Sequence, residues 1–84
     1  MNKGFIKISD VLYRNEWEMV SVLFKYFRPA HIKFKHWEND VWVLYGESEL
    51  FEELKEGEKV PQYDAIFTTK DGIASSIEFK RVKP

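Results

Sequence analysis

The chain has 84 residues, of which 44% are hydrophobic and 32% are charged, and its formal net charge is −1 at pH 7. This length and apolar content exclude a disordered chain and two separate cores, so we expect one domain over residues 1–84. The sequence contains no cysteine, which excludes disulfides, thiolate metal sites and cysteine nucleophiles and leads us to expect a cytoplasmic protein.

The apolar residues occur in short runs, the longest being Val41 to Tyr45. A membrane-spanning helix needs roughly 18 consecutive apolar residues, so we expect no membrane span. The first residues lack the apolar stretch and the small-residue cleavage site of a signal peptide. We therefore expect Met1 to begin the mature chain.

The first predicted elements are a strand and a long helix. The strand covers Gly4 to Ile8, where apolar side chains alternate with lysines. The helix is predicted from about Glu16 to Phe27, because Asn15 and Glu18 have capping-box spacing and Pro29 ends the helical geometry. An earlier helix start is also open, in which Ser9 or Asp10 caps an extra turn.

The predicted helix over 16–27 is apolar around most of its circumference, whereas one sheet face covers an arc of only about 100°. Two explanations remain open. A later part of the chain covers the excess, for example a short helix that we predict over Ser48 to Glu56 and end at Gly57. Alternatively, the long helix forms a homodimer or partner interface.

Two hairpins complete the prediction. In the first, Asn39 and Asp40 form a tight turn between strands over 31–37 and 41–46. In the second, Asp71-Gly72 is the strongest short hairpin signal in the chain, because both residue types tolerate a positive φ. The predicted order is β-α-β-β-α-β-β, an α+β fold with an antiparallel sheet packed on one long helix.

A two-residue turn in the first hairpin pairs Trp37 with Trp42 and divides the ribbon into two faces. The core face carries Ile32, Phe34, His36, Val41, Val43 and Tyr45. The exposed face combines aromatic rings with cations, and its candidate partner-binding residues are Lys33, Lys35, Trp37, Trp42 and Leu44. The alternative is a tryptophan pair that only stabilises the hairpin.

The charges are segregated along the chain. Between Glu38 and Glu58 the sequence has eight acidic residues against the single cation Lys55. Such a run is often only a solvated surface, but it also suits docking on a basic partner surface. The second candidate patch consists of Glu47, Glu49, Glu52, Glu53 and Glu56.

The sequence has no recognisable catalytic or metal-binding motif. His31 and His36 have opposite parity on one predicted strand, which argues against a shared metal. The four glycines form no phosphate-binding loop. We therefore expect no enzyme activity, no metal and no cofactor.

These features favour a non-catalytic protein-binding module, a small accessory or inhibitory protein that docks on a larger partner. The first alternative is a protein that binds single-stranded nucleic acid through cations interleaved with aromatic rings over 25–28, 33–37 and 80–83. The isoelectric point near 6.1 makes nucleic acid the less favoured partner. The second alternative is a homodimeric structural domain.

Overall fold

The computed structural model describes residues 2–83, so that Met1 and Pro84 of the predicted domain lie outside the described residues. It is an α+β fold with two helices and a five-stranded sheet. The elements are β1 (Asn2–Ser9), α1 (Asp10–Asn15), α2 (Trp17–Tyr26), β2 (Arg28–Lys35), β3 (Val41–Ser48), β4 (Gln62–Lys70) and β5 (Ile73–Arg81). Neither helix has the length and apolar character that crossing a membrane would require.

The sheet is mixed, with the strand order β2-β3-β1-β4-β5. The pairs β1–β3, β2–β3 and β4–β5 are antiparallel, but β1 and β4 are parallel. The parallel pair arises because the connection over 49–61 runs from the end of β3 past β1 and places β4 on the other side of β1. Because β4 runs opposite to β3, it runs in the same direction as the strand between them, and the expectation of an antiparallel sheet was wrong.

The helix predicted over 16–27 corresponds to α2, and a separate short helix, α1, precedes it. The Ser9 side chain accepts a hydrogen bond of 3.2 Å from the backbone N–H of Leu12 and so caps α1. Glu16 then has a non-helical backbone (φ −110°, ψ 57°), and α2 follows it without a side-chain cap. The cap at Ser9 is thus confirmed, although it begins a separate helix and not an extra turn of the long one, whereas the cap at Asn15 was wrong. Phe27 is extended and ends α2 before Pro29.

The hydrophobic core lies between the two helices and one face of the sheet. Alternate residues of β1 point into it, with Ile6 completely buried and Ile8 almost so. Leu23 and Phe27 enter it from α2 and the turn that follows. The core cluster consists of Ile6, Ile8, Leu23, Phe27, Leu44, Phe51, Tyr63 and Ile77. No helix of residues 2–83 covers the opposite face of the sheet.

The connection over 49–61 is irregular, and the helix predicted from Ser48 to Glu56 was wrong. Ser48 ends β3, and its hydroxyl donates to the carbonyl of Tyr26 while accepting from the N–H of Leu50. Phe51 enters the core instead of a helix face. Its ring stacks on Tyr63 with centroids 4.2 Å apart and planes 6° apart. Buried aromatic packing therefore fixes this segment without regular secondary structure.

The second hairpin follows its prediction. Asp71 and Gly72 have φ values of 55° and 78°, and they join Lys70 to its register partner Ile73. The β4–β5 hairpin is therefore confirmed.

Candidate functional site

The first hairpin has a longer connection than predicted. Asn39 and Asp40 do have positive φ values, 60° and 53°, but a 3-10 turn over His36–Glu38 precedes them. The register therefore aligns Lys35 with Val41 and continues outward from that pair. The predicted pairing of Trp37 with Trp42 was wrong. Because a shift by an odd number of residues inverts a strand, the two predicted faces of β3 are exchanged.

The five candidate partner-binding residues do not share a surface. Trp42 and Leu44 lie on the helix side of the sheet, where Trp42 is partly buried and Leu44 is completely buried. Trp37 is 67% exposed in the 3-10 turn, where its ring is edge-on to His36. On β2, Phe34 and Ile32 are the register partners of Trp42 and Leu44 and so share their side of the sheet. Lys33 and Lys35 alternate with these residues and therefore lie on the opposite side.

The sheet nevertheless has a surface that combines rings with cations, formed by different aromatic residues. We call it the open face, meaning the side of β1, β2 and β3 that faces away from the helices. By alternation and register, it carries Lys3, Phe5, Lys7, His31, Lys33, Lys35, Val41, Val43, Tyr45 and Glu47.

A row of three rings crosses the open face. Phe5 on β1 and Tyr45 on β3 are register partners, and their ring centroids are 5.1 Å apart with planes tilted by 31°. The ring of His31 on β2 follows at 6.1 Å from that of Tyr45. Phe5 and Tyr45 are partly buried, and His31 is exposed. The rings thus come from three adjacent strands and form one line across them.

Lysines flank this row of rings. Lys33 on β2 and Lys7 on β1 are the register partners of Val43, one on either side. Val43 has no exposed surface, although it does not belong to the core cluster under the helices. Lysine stems cover apolar surface while their ammonium groups stay in water, which accounts for a buried valine on an uncovered sheet face.

One carboxylate holds two of these lysines. The side chain of Glu38 lies 3.5 Å from Nζ of Lys7 and 3.7 Å from Nζ of Lys35. Lys3 and Lys33 make no ion pair with another side chain of residues 2–83. On the open face, two lysines are therefore bound by an internal acid, whereas Lys33 and Lys3 are not, and Lys3 is the register partner of Glu47.

Space for a ligand lies beside the rings. A cavity of about 210 Å³ is lined by Lys3, Tyr45 and Val60 among others. A second cavity of about 410 Å³ includes Phe5, Val60 and Gln62 in its lining. Both cavities share Val60, whose side chain is 40% exposed. Together they border the row of rings at one end of the sheet.

The second candidate patch is divided. Glu47 is on β3, where its register partners are Lys3 and Arg28. Arg81 pairs with Glu52 at 3.1 Å and with Glu58 at 3.0 Å. The hydrogen bond from Arg81, supported by the N–H of Lys55, holds the pKa of Glu58 below its usual range.

The other three acids of the patch, Glu49, Glu53 and Glu56, are exposed on the irregular connection. None of them forms an ion pair with the residues that the structure describes. The predicted patch is therefore not one surface. Glu52 is neutralised by Arg81, Glu47 lies at the edge of the open face, and the other three acids face solvent.

Within residues 2–83, no cluster of three or more histidine, aspartate and glutamate side chains has a geometry that could hold a metal ion. His31 lies on β2, whereas His36 lies in the 3-10 turn. The open face brings aromatic rings and lysine side chains together.

The interpretation of the first hairpin missed Phe5 and Lys3 and assigned Tyr45 to the core. A parity signal in the sequence would have found them. Lys3, Phe5 and Lys7 alternate along β1, and Lys33 and Lys35 have the same spacing along β2. Charged residues at every second position mark the solvent side of a strand, so the ring between two such lysines belongs to that side.

No protein-family model, no curated protein and no solved structure matches this chain.

Proposed function

We propose that the protein binds single-stranded nucleic acid on the open face. The observation that supports this proposal is the row formed by Phe5, Tyr45 and His31 across three adjacent strands, with lysines on both sides. Proteins that bind single strands combine rings on which bases stack with cations that attract the phosphate backbone. Sheets that carry aromatic residues on adjacent strands are one established scaffold for this purpose.

The arrangement suits a single strand better than a duplex. Rings stack on bases only when the bases are unpaired and free to turn outward. The rings of Phe5 and Tyr45 lie in the sheet surface and do not project as a helix or arm that could enter a groove. A strand that crosses β1, β3 and β2 would meet the three rings in succession, with Lys3 and Lys33 available for its phosphates.

The net charge of −1 counts several acids that lie away from the open face, although Glu38 and Glu47 lie beside its lysines. Phe51 fixes the acidic connection on the helix side of the sheet, in the core. Arg81 on β5 is the register partner of Tyr63, and both side chains lie on the helix side of the sheet. On that side, Arg81 pairs with Glu52 and Glu58 of the acidic connection. On the open face, Glu38 pairs with Lys7 and Lys35, and Glu47 is the register partner of Lys3.

The decisive experiment is a fluorescence anisotropy titration with labelled single-stranded DNA and RNA of mixed sequence. We expect micromolar binding that weakens with salt, because phosphate contacts release counterions. Phe5→Leu and Tyr45→Leu should each weaken binding roughly tenfold, since one stacked base contributes about 1–3 kcal/mol. The matched control is Phe34→Leu, which changes an exposed ring on the opposite side of the sheet.

The lysines are tested by the salt dependence of the same titration. Lys33→Ala should lower the slope of log affinity against log salt concentration by about 1, because one phosphate contact is lost. Phe5→Leu should weaken binding without changing this slope. Failure of the wild type to bind either strand at about 50 mM salt would overturn the proposal.

The second candidate function is docking on a basic surface of a larger protein, as an accessory or inhibitory protein. The observation in its favour is the anchoring of the acidic connection. The N–H of Glu52 donates to the hydroxyl of Tyr63 at 2.9 Å, and the amide of Asn2 donates to the carbonyl of Phe51 at 2.8 Å. The backbone that carries these acids is therefore held in place, which reduces the conformational entropy that would be lost on binding a partner.

The two functions are separated by charge reversal. A triple variant, Glu49→Lys with Glu53→Lys and Glu56→Lys, changes only exposed side chains. Docking through the acids predicts a partner that the wild type and Phe5→Leu capture from host extract and the triple variant does not. A partner captured equally by all three proteins would contradict the acidic surface. The exposed residues Lys33 and Trp37 and the partly buried Lys35 stay candidate partner contacts.

A further inference from the structure

The outer side of α2 carries an exposed apolar strip. Trp17 is 69% exposed and Phe24 is 38% exposed, and Ser21 lies between them on the helix surface. At about 100° per residue, these three side chains fall within about 60° of one another. Glu18 and Lys25 border them on the same edge. We call these five residues, 17, 18, 21, 24 and 25, the α2 strip.

The strip is complementary to itself. Its large ring Trp17 and its acid Glu18 lie at the start of α2, whereas Phe24 and its cation Lys25 lie near the end. Ser21 is at the centre and is small. Two α2 helices that cross in antiparallel directions at Ser21 therefore place each Trp17 against the other copy's Phe24. The same crossing places each Glu18 against the other copy's Lys25.

A cleft at the end of α2 is positioned to receive the indole ring. It has a volume of about 440 Å³ and is lined by Phe24, Lys25, Tyr26, Arg28, Glu49 and Leu50 among others. Tyr26 and Leu50 are 41% and 48% exposed, so the cleft has apolar walls that water contacts in the single chain. Its cations suit the face of an indole ring. In a two-fold pair, this contact forms twice.

We propose that the α2 strip is a self-association surface and that its occupant is a second copy of this chain. Opposite charges at opposite ends of the strip, together with a projecting ring and a cleft on the same helix, favour a second copy over an unrelated partner. A helix of 10 residues is about 15 Å long, so the interface belongs to the small class below about 1,200 Å². We therefore expect a weak, transient dimer.

This surface is independent of the proposed nucleic-acid interface. The α2 helix packs on the core side of the sheet, and the open face lies on the other side. A dimer through α2 would therefore leave both open faces accessible. Failure of one proposal leaves the other unaffected.

Sedimentation velocity and light scattering between roughly 1 µM and 1 mM test the proposal over concentrations suited to a weak dimer. The average mass of the wild type should rise from 10.1 kDa toward twice that value. Trp17→Ala and Glu18→Lys should each raise the dissociation constant at least about tenfold, because each removes two symmetric contacts. Two control variants, Ile73→Ala and Glu56→Lys, change exposed residues elsewhere and should behave as wild type.

The charge exchange separates a specific pair from a general loss of fold. Glu18→Lys combined with Lys25→Glu should restore the dissociation constant to within about threefold of wild type, since each new charge again faces its opposite. Far-UV circular dichroism checks that every variant is folded. The proposal is overturned if the wild type is monomeric over the whole concentration range or if Trp17→Ala leaves the dissociation constant unchanged. It is also overturned if the charge-exchanged double variant dimerises as weakly as the two single variants.

Discussion

The indole Nε1 of Trp42 donates a hydrogen bond of 2.8 Å to Oδ1 of Asp10. The same oxygen accepts from Nε of Arg14 at 2.9 Å, one turn along the helix. The ring of Tyr13 stacks on that of Trp42 with centroids 4.8 Å apart. Asp10 begins α1 and Trp42 belongs to β3, so this group of contacts fixes the first helix on the sheet.

These contacts predict a pH-dependent stability. The hydrogen bond from Trp42, followed by that from Arg14, holds the pKa of Asp10 below its usual range. An ionised Asp10 therefore stabilises the fold above the ordinary carboxyl pKa of about 3.9, and this contribution is lost as the pH falls through the lowered value. Asp10→Asn should have a smaller free energy of unfolding than wild type at about pH 7, and the difference should shrink as the pH falls through the lowered pKa of Asp10.

Urea unfolding followed by circular dichroism at several pH values measures this difference. The control is Asp64→Asn, which changes an exposed aspartate on β4 and should follow the wild-type profile. A gap between Asp10→Asn and wild type that is the same at neutral and acid pH would contradict the assigned role of the charge.

Phe51 should be the residue that holds the acidic connection in place. Its side chain is 3% exposed and stacks on Tyr63, whereas its neighbour Leu50 is 48% exposed. Phe51→Ala should lower the free energy of unfolding by about 3–5 kcal/mol, because it removes a buried ring and leaves a cavity. The matched control Leu50→Ala should change it by no more than about 0.5 kcal/mol. Similar losses in both variants, measured by urea unfolding, would refute this anchoring role.

Local patterns in the sequence predicted the elements whose contacts are local. The alternation in β1, the apolar helix before Pro29 and the turn at Asp71-Gly72 all depend on neighbouring residues. The helix predicted from Ser48 failed for the opposite reason. The spacing of Leu50 and Leu54 suits a helix face, but the residue between them, Phe51, has a buried partner far along the chain.

The candidate site was harder to predict because it depends on strand register. The lysines of β2 were assigned to the correct side, but the 3-10 turn over His36–Glu38 shifted β3 and exchanged its two faces. Trp42 and Leu44 moved to the helix side, and Tyr45 moved to the open face. The ring of Phe5 lies beside that of Tyr45 because β1 pairs with β3. The two residues are about 40 positions apart in the sequence, so no local pattern predicts their contact.

Glu38 should limit the affinity of the open face for nucleic acid. Its carboxylate lies between Lys7 and Lys35, where it competes with a phosphate for both ammonium groups. Glu38→Gln should therefore raise the affinity for single strands roughly two- to fivefold, since exposed ion pairs contribute up to about 1 kcal/mol. Glu78→Gln is the matched control, because Glu78 is an exposed acid on β5, away from the rings. An affinity that stays at the wild-type value in the anisotropy titration would argue against phosphate contacts at these lysines.

Gly46 should be intolerant of any side chain. A Cβ atom at this position would overlap the carbonyl oxygen of Arg28 and approach Cζ of Phe27 to 2.8 Å. Because the carbonyl belongs to the backbone, β2 must move away from β3 in Gly46→Ala. We expect a loss of about 1–3 kcal/mol in the free energy of unfolding, measured in urea. Ser76→Ala, on an exposed stretch of β5, should leave stability unchanged, and equal stability of both variants would exclude this close approach.

The parallel contact between β1 and β4 aligns only two residue pairs, whereas the β1–β3 and β4–β5 pairs each align eight. The hydrogen-bond ladder is therefore thinnest near the middle of the sheet, and packing of Tyr63 and Ile77 in the core supplies much of the attachment there. We expect local opening along this seam to release the β4–β5 hairpin as one cooperative unit and to expose its amides to hydrogen exchange. Phe5 lies at this seam, since it is aligned with Gln62 and its N–H donates to the carbonyl of Pro61, whereas Tyr45 and His31 lie on β3 and β2, so such an opening would reach the row of rings at Phe5.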